Sequence, residues 1–212
     1  MKRIIVSLDD EGSLYNRINK IIQNKERISS IKLGATSFAL VENLREYTNL
    51  PIIYDHQKLA DIGETIEKII KQISCKLEEN KDGIIMLGYV GSKSIETFIN
   101  LCKQKNLKSY IVVKMSHEKG YEFLKEDAAR EICEVSLNLG ANGIICPVWD
   151  FDLIRKCKKM IDDTKNNSKL ATVGLRDLET AKKSVDSGTD YIITGTFFFN
   201  APRKDLEEML SL

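Results

Sequence analysis

The sequence carries no excess of charge: 32 lysines and arginines stand against 31 aspartates and glutamates, a formal net charge of +1. Without a basic surplus there is no electrostatic footprint for nucleic acid or an anionic membrane surface, so a small-molecule or protein partner is expected. Histidine is scarce, with two in 212 residues, and neither belongs to a spaced ligand set, so no zinc signature is present. The five cysteines, at 75, 102, 133, 146 and 157, include no CxxC pair and read as reduced core or surface thiols of a cytoplasmic protein. No stretch approaches the ~20 apolar residues of a membrane span. The apolar run in MKRIIVSLDD is too short for a signal peptide. With no long linker or low-complexity stretch, residues 1–212 are expected to form one domain.

What the chain does have is eight short runs rich in Ile and Val: RIIVSL (3–8), SSIKLG (29–34), PIIYD (51–55), GIIMLG (83–88), SYIVVKM (109–115), GIICPV (143–148), LATVG (170–174) and YIITG (190–194). Continuous apolar runs of this length suit strands covered on both faces, as in parallel sheets. Segments of helical periodicity lie between them, such as SLYNRINKIIQNK, ETIEKIIKQISCKLEEN, SIETFINLCKQKN, EDAAREICEVSLNLG and DLETAKKSVDSG. In the second of these, Ile66, Ile69, Ile70, Ile73 and Leu77 draw one apolar stripe. Asp82-Gly83, Gly140 to Gly143 and Ser187-Gly188 introduce the next strand after three of the helices, with glycine suited to the left-handed turn that closes a helix. Eight βα units in this length predict an α/β fold of one compact (β/α)8 barrel, a TIM barrel. An open doubly wound sheet is the alternative, but no switch point is visible.

A barrel of this kind carries its active site at the C-terminal ends of its strands. Charged groups gather at those ends: Asp9 after strand 1, Lys32 on strand 2, Asp55 to Lys58 after strand 3, Lys114 and Ser116 after strand 5, Gly174 to Arg176 after strand 7, and Gly195 and Thr196 after strand 8. Plainer readings exist for several. Asp10 suits a helix cap, Lys58 and Asp61 suit first-turn charges, Arg176 suits a surface pair with Asp177 or Glu179, and His117 suits a loop. Lys32 is harder to set aside, because an unpaired ammonium inside an apolar strand is costly.

These residues resemble the orotidine 5'-phosphate decarboxylase family, in its shorter archaeal form, over essentially the whole chain. VSLD is similar to the family's first strand, whose aspartate holds the ribose, here Asp9. IKLGATSFAL resembles the segment whose lysine is Lys32, and KMSHEKG the MSHPG stretch whose serine, here Ser116, contacts the pyrimidine. KLADIGET resembles KxxDIPET, which implies a catalytic lysine at Lys58, an aspartate given to the neighbouring subunit's site at Asp61, and a substrate-contacting threonine at Thr65. The resemblance implies metal-free and cofactor-free decarboxylation of orotidine 5'-phosphate to uridine 5'-phosphate (UMP) by a homodimer. Lys58 would be both the cation and the proton donor to C6. Lys32, and Asp61 from the partner, would complete an alternating charge network.

Two departures stand out. The family's motif is DxKxxD, whereas here His56 lies two before Lys58 and Asp55 lies three before it. Either the strand ends early enough for Asp55 to swing in, or a bulge restores the facing, or His56 occupies the position. The family's eighth strand ends in GR, with arginine on the phosphate, and Thr196 replaces that arginine here. Arg176 is the expected relocated phosphate ligand, with Gly174, Gly195 and Thr196 as further donors. A magnesium-dependent relative of the 3-hexulose-6-phosphate synthase or 3-keto-gulonate-6-phosphate decarboxylase type, and a non-catalytic paralogue, are the competing expectations.

Overall fold

The structure, a computed structural model, describes residues 2–9, 14–56, 59, 61–125, 127–164 and 166–212. Its strands are β1 (Ile4–Ser7), β2 (Ile28–Gly34), β3 (Ile52–Asp55), β4 (Gly83–Leu87), β5 (Lys108–Val112), β6 (Gly143–Pro147), β7 (Lys169–Val173) and β8 (Tyr191–Thr194). They pair in sequence order, all parallel, and β8 closes on β1. Each of the eight apolar runs supplies one strand, because a barrel strand is covered by side chains within and by helices without. Ile5, Ile53, Ile85, Tyr110, Ile145, Ala171 and Ile193 fill the barrel interior. Their neighbours on the opposite face, among them Ile4, Val6, Ile31, Ile52 and Ile144, pack in the core shared with the helices.

The helices are α1 (Leu14–Gln23), α2 (Val41–Tyr47), α3 (Gly63–Ser74), α4 (Ser92–Gln104), α5 (Ala128–Asn138), α6 (Phe151–Thr164), α7 (Leu178–Asp186), α8 (Thr196–Asn200) and α9 (Arg203–Met209). In α3 the expected stripe turns inward through Ile66, Ile70 and Ile73. The helix stops at Ser74, short of the periodic segment, and Leu77 reaches the core from the turns that follow. Asp177 caps α7 by accepting the Thr180 N–H at 2.7 Å.

Gly140 and Gly188 take the left-handed conformation expected of them, with φ of 87° and 110°. Gly83 does not. The left-handed residue before β4 is Asn80, with φ of 62°, and Gly83 is needed for space. A Cβ there would lie 2.6 Å from the Tyr110 ring and 2.9 Å from the Lys108 carbonyl, and one at Gly143 would lie 2.5 Å from the same ring. Two strands thus leave out a side chain so that Tyr110 can plug the barrel. Asp82, fully buried, accepts the Ile52 and Glu78 N–H groups at 2.8 Å each and pairs with Arg45, fixing the start of β4.

Candidate active site

The inward alternation that stacks Ile5 and Ile53 in the core brings Ser7 and Asp55, two residues on, to the C-terminal mouth. In register, Ser7 lies opposite Lys32, and Gly34 opposite Asp55. Three strands therefore deliver one cluster. The Lys32 Nζ lies 2.6 Å from Asp9 Oδ2, 2.8 Å from Asp55 Oδ2 and 3.1 Å from Ser7 Oγ. Ser7 donates to Asp9 in turn. Gly34 makes room for Asp9, since a Cβ there would stand 2.6 Å from its Oδ1.

Burial alone would lower the Lys32 pKa. The negative charges of Asp55 and Asp9, with the hydrogen bonds they accept, outweigh it and hold the ammonium above its usual value. The two carboxylates differ in access: the Asp55 side chain is 6% exposed and that of Asp9 41%. Asp55 is committed to the ion pair, while Asp9 keeps a surface that can accept a ligand hydroxyl.

The cluster forms one wall of a cavity of about 320 Å3 at the barrel mouth. Ser116, Gly174, Gly195 and Thr196 line the other side, and Ile85, Val112, Ile145, Val173 and Ile193 form an apolar floor. Gly174 has φ of 94°, and a Cβ there would press on Ser116 at 2.9 Å. At Gly195 a Cβ would meet the Ser7 carbonyl at 2.9 Å. Glycine at these two positions lets the ends of β7 and β8 close on the loop after β5 and on β1.

Other expected site residues lie elsewhere. His56 follows Asp55 on the opposite side of the strand and sets its ring edge-on to Tyr54, with centroids 5.5 Å apart. The Leu59 N–H donates to the His56 carbonyl at 3.0 Å. Lys58 lies outside the described residues. Asp61 and Thr65 do not line the cavity, and Asp61 is exposed, its Oδ1 accepting the Ile62 N–H at 2.6 Å. Arg176 is exposed and borders a neighbouring depression that shares Gly174 and Thr196 with the main cavity. Lys114 does not converge on the mouth: it pairs with Asp150 at 2.7 Å and lies 4.2 Å from the Tyr121 ring centre. His117 packs over Gly120 in its loop. One cation went unnoticed in the sequence. Arg17, on α1, lines the cavity.

No helix among the described residues is long and apolar enough to cross a membrane. Residues 2–209 match the family model described as "Orotidine 5'-phosphate decarboxylase / HUMPS family". An orotidine 5'-phosphate decarboxylase of Methanococcus maripaludis is 32% identical over 66% of this chain, and the match spans 64% of that relative's length. One of Methanocaldococcus jannaschii is 27% identical with both chains covered in full. The crystal structure of orotidine 5'-phosphate decarboxylase from Pyrococcus horikoshii superposes with a TM-score of 0.80 at 27% identity, covering 98% of this chain and 97% of that one. A family match over nearly every residue agrees with a barrel whose second-strand lysine is clasped by the aspartates of strands 1 and 3, and the chain belongs to the orotidine 5'-phosphate decarboxylase / HUMPS family.

Proposed function

We propose that the cavity binds orotidine 5'-phosphate and that the chain, a cytoplasmic carboxy-lyase of pyrimidine biosynthesis, decarboxylates it to UMP. The observation that carries this reading is the Lys32 ammonium bound between Asp9 and Asp55 at the barrel mouth. Loss of carbon dioxide from C6 leaves a carbanion, so the site must place positive charge where negative charge develops. Lys58 is the cation and then the proton donor, and no metal or organic cofactor takes part. Asp55 lies beside the substrate carboxylate, where repulsion is relieved as carbon dioxide departs. Asp9 holds the ribose, and Ser116 the pyrimidine. Gly174, Gly195 and Thr196 offer donors to the phosphate, with Arg176 at the rim.

Asp61 acts in the site of a second subunit, and Thr65 contacts the substrate. The exposure of Asp61, together with that of Ile62 beside it at 64%, supports such an interface. A magnesium-dependent reading fits less well, since the carboxylates that would hold the dication, Asp9 and Asp55, both bind the Lys32 ammonium. The test is the loss of orotidine 5'-phosphate absorbance with purified protein, with and without chelator, alongside Lys58→Ala. Chelator-resistant turnover abolished by Lys58→Ala is expected. Turnover that needs magnesium, or that survives Lys58→Ala, sinks the reading.

A further inference from the structure

The end of β8 gives the cavity Thr194, Gly195 and Thr196, none of them charged. The cavity nonetheless has a cation nearby, from a different element. Arg17 lines it together with Gly195 and Thr196, and its guanidinium carbon lies 4.8 Å from the centre of the Phe199 ring. Phe199 belongs to α8, the short helix that Thr196 opens. One turn along α1, Lys20 donates to the Phe199 carbonyl at 3.0 Å. Two successive contacts therefore fix α1 against α8 and hold Arg17 at the cavity wall. A guanidinium presents its hydrogen-bond donors in a fixed fork that matches the oxygens of a phosphate.

We propose that Arg17 binds the 5'-phosphate of the nucleotide, supplying from α1 the positive charge that the end of β8 does not. This assignment rests on the nucleotide reading of the cavity. It also moves the principal phosphate cation from the exposed Arg176 to a half-buried residue that lines the cavity itself.

The experiment compares UMP with uridine, which differ only in the phosphate, by titration calorimetry on the full-length protein. Charge-assisted hydrogen bonds of this kind set the expectation that Arg17→Ala weakens UMP binding by roughly 10- to 100-fold. Uridine affinity should be unchanged. Arg17→Gln, which keeps the stem that packs on Phe199, should show the same selective loss, and Arg17→Lys should recover part of it. An equal loss for both ligands in Arg17→Gln means that Arg17 only positions α1, and overturns the proposal. So does a larger selective loss in Arg176→Ala than in the Arg17 variants. A wild-type protein that binds UMP no better than uridine removes the nucleotide reading and this assignment together. A wild-type preference for UMP that Arg17→Ala leaves intact removes the assignment alone.

Discussion

Asp55 Oδ2 lies 2.8 Å from the Lys32 ammonium, and both side chains are less than a tenth exposed, at 6% and 8%. Neither charge would be stable there without the other, because the cost of removing each from water is offset only by its partner and by Asp9. The pair is thus a structural requirement of the site as well as part of its charge pattern.

Lys32→Met, which keeps the apolar stem and removes the charge, leaves two carboxylates facing each other at the barrel mouth. The expected cost is about 3–5 kcal/mol, as for breaking other buried pairs, read as a lowered urea midpoint. Adding Asp55→Asn should recover part of it, since the orphaned charge goes too. A Lys32→Met protein as stable as the wild type would mean that the ion pair contributes nothing to folding.

The same pair sets a pH dependence. The folded-state pKa of Lys32 is raised above its ordinary 10.5, so the native state binds the proton more tightly than the unfolded chain does. Its contribution to stability is fully present below the unfolded value and is lost as pH climbs through the folded one. The stability difference between wild type and Lys32→Met should therefore stay level from about pH 7 to pH 10 and shrink only above that. Urea midpoints across this range decide it, and a difference that fades near neutrality would contradict the assignment of the proton.

How much of this was legible in the sequence differs from residue to residue. The eight strands were, because burial on both faces writes itself as an unbroken apolar run. Lys32 was, because an ammonium inside such a run demands a partner. The choice between Asp55 and His56 was not, since a shift of one residue reverses the facing of a strand, and what fixes it is the pairing of Asp55 with Lys32 from the neighbouring strand. Arg17 was hidden for another reason: its position in an amphipathic helix reads as a solvated face, and the ring that orients it lies near the far end of the chain. Gly83 read as a turn residue, while the Tyr110 ring that requires it comes from the next strand.

That role for Gly83 predicts a specific cost. In Gly83→Ala the new methyl meets the Tyr110 ring at 2.6 Å and the Lys108 carbonyl at 2.9 Å, and the second contact is backbone that cannot rotate away. Overpacking of this kind costs typically about 1–3 kcal/mol. Tyr110→Leu should relieve only part of it in the double variant, because the carbonyl contact remains. If Gly83→Ala unfolds at the wild-type urea concentration, the barrel is looser here than the contacts imply.

The placement of Asp61 makes the most demanding prediction, because it concerns which chain completes which site. If Asp61 serves the partner's cavity, Lys58→Ala and Asp61→Ala should each be inactive alone. A mixed dimer of the two then holds one site lacking both groups and one site with both intact. Unfolding and refolding the two variants together in equal amounts gives half mixed dimers by random pairing, each with one working site of two. The expected recovery is about a quarter of wild-type activity for a two-fold symmetric dimer. If Asp61 instead served its own chain's cavity, every site in every pairing would lack one group and mixing would restore nothing. A wild-type protein fully active as a monomer would rule out the shared site before any mixing is done.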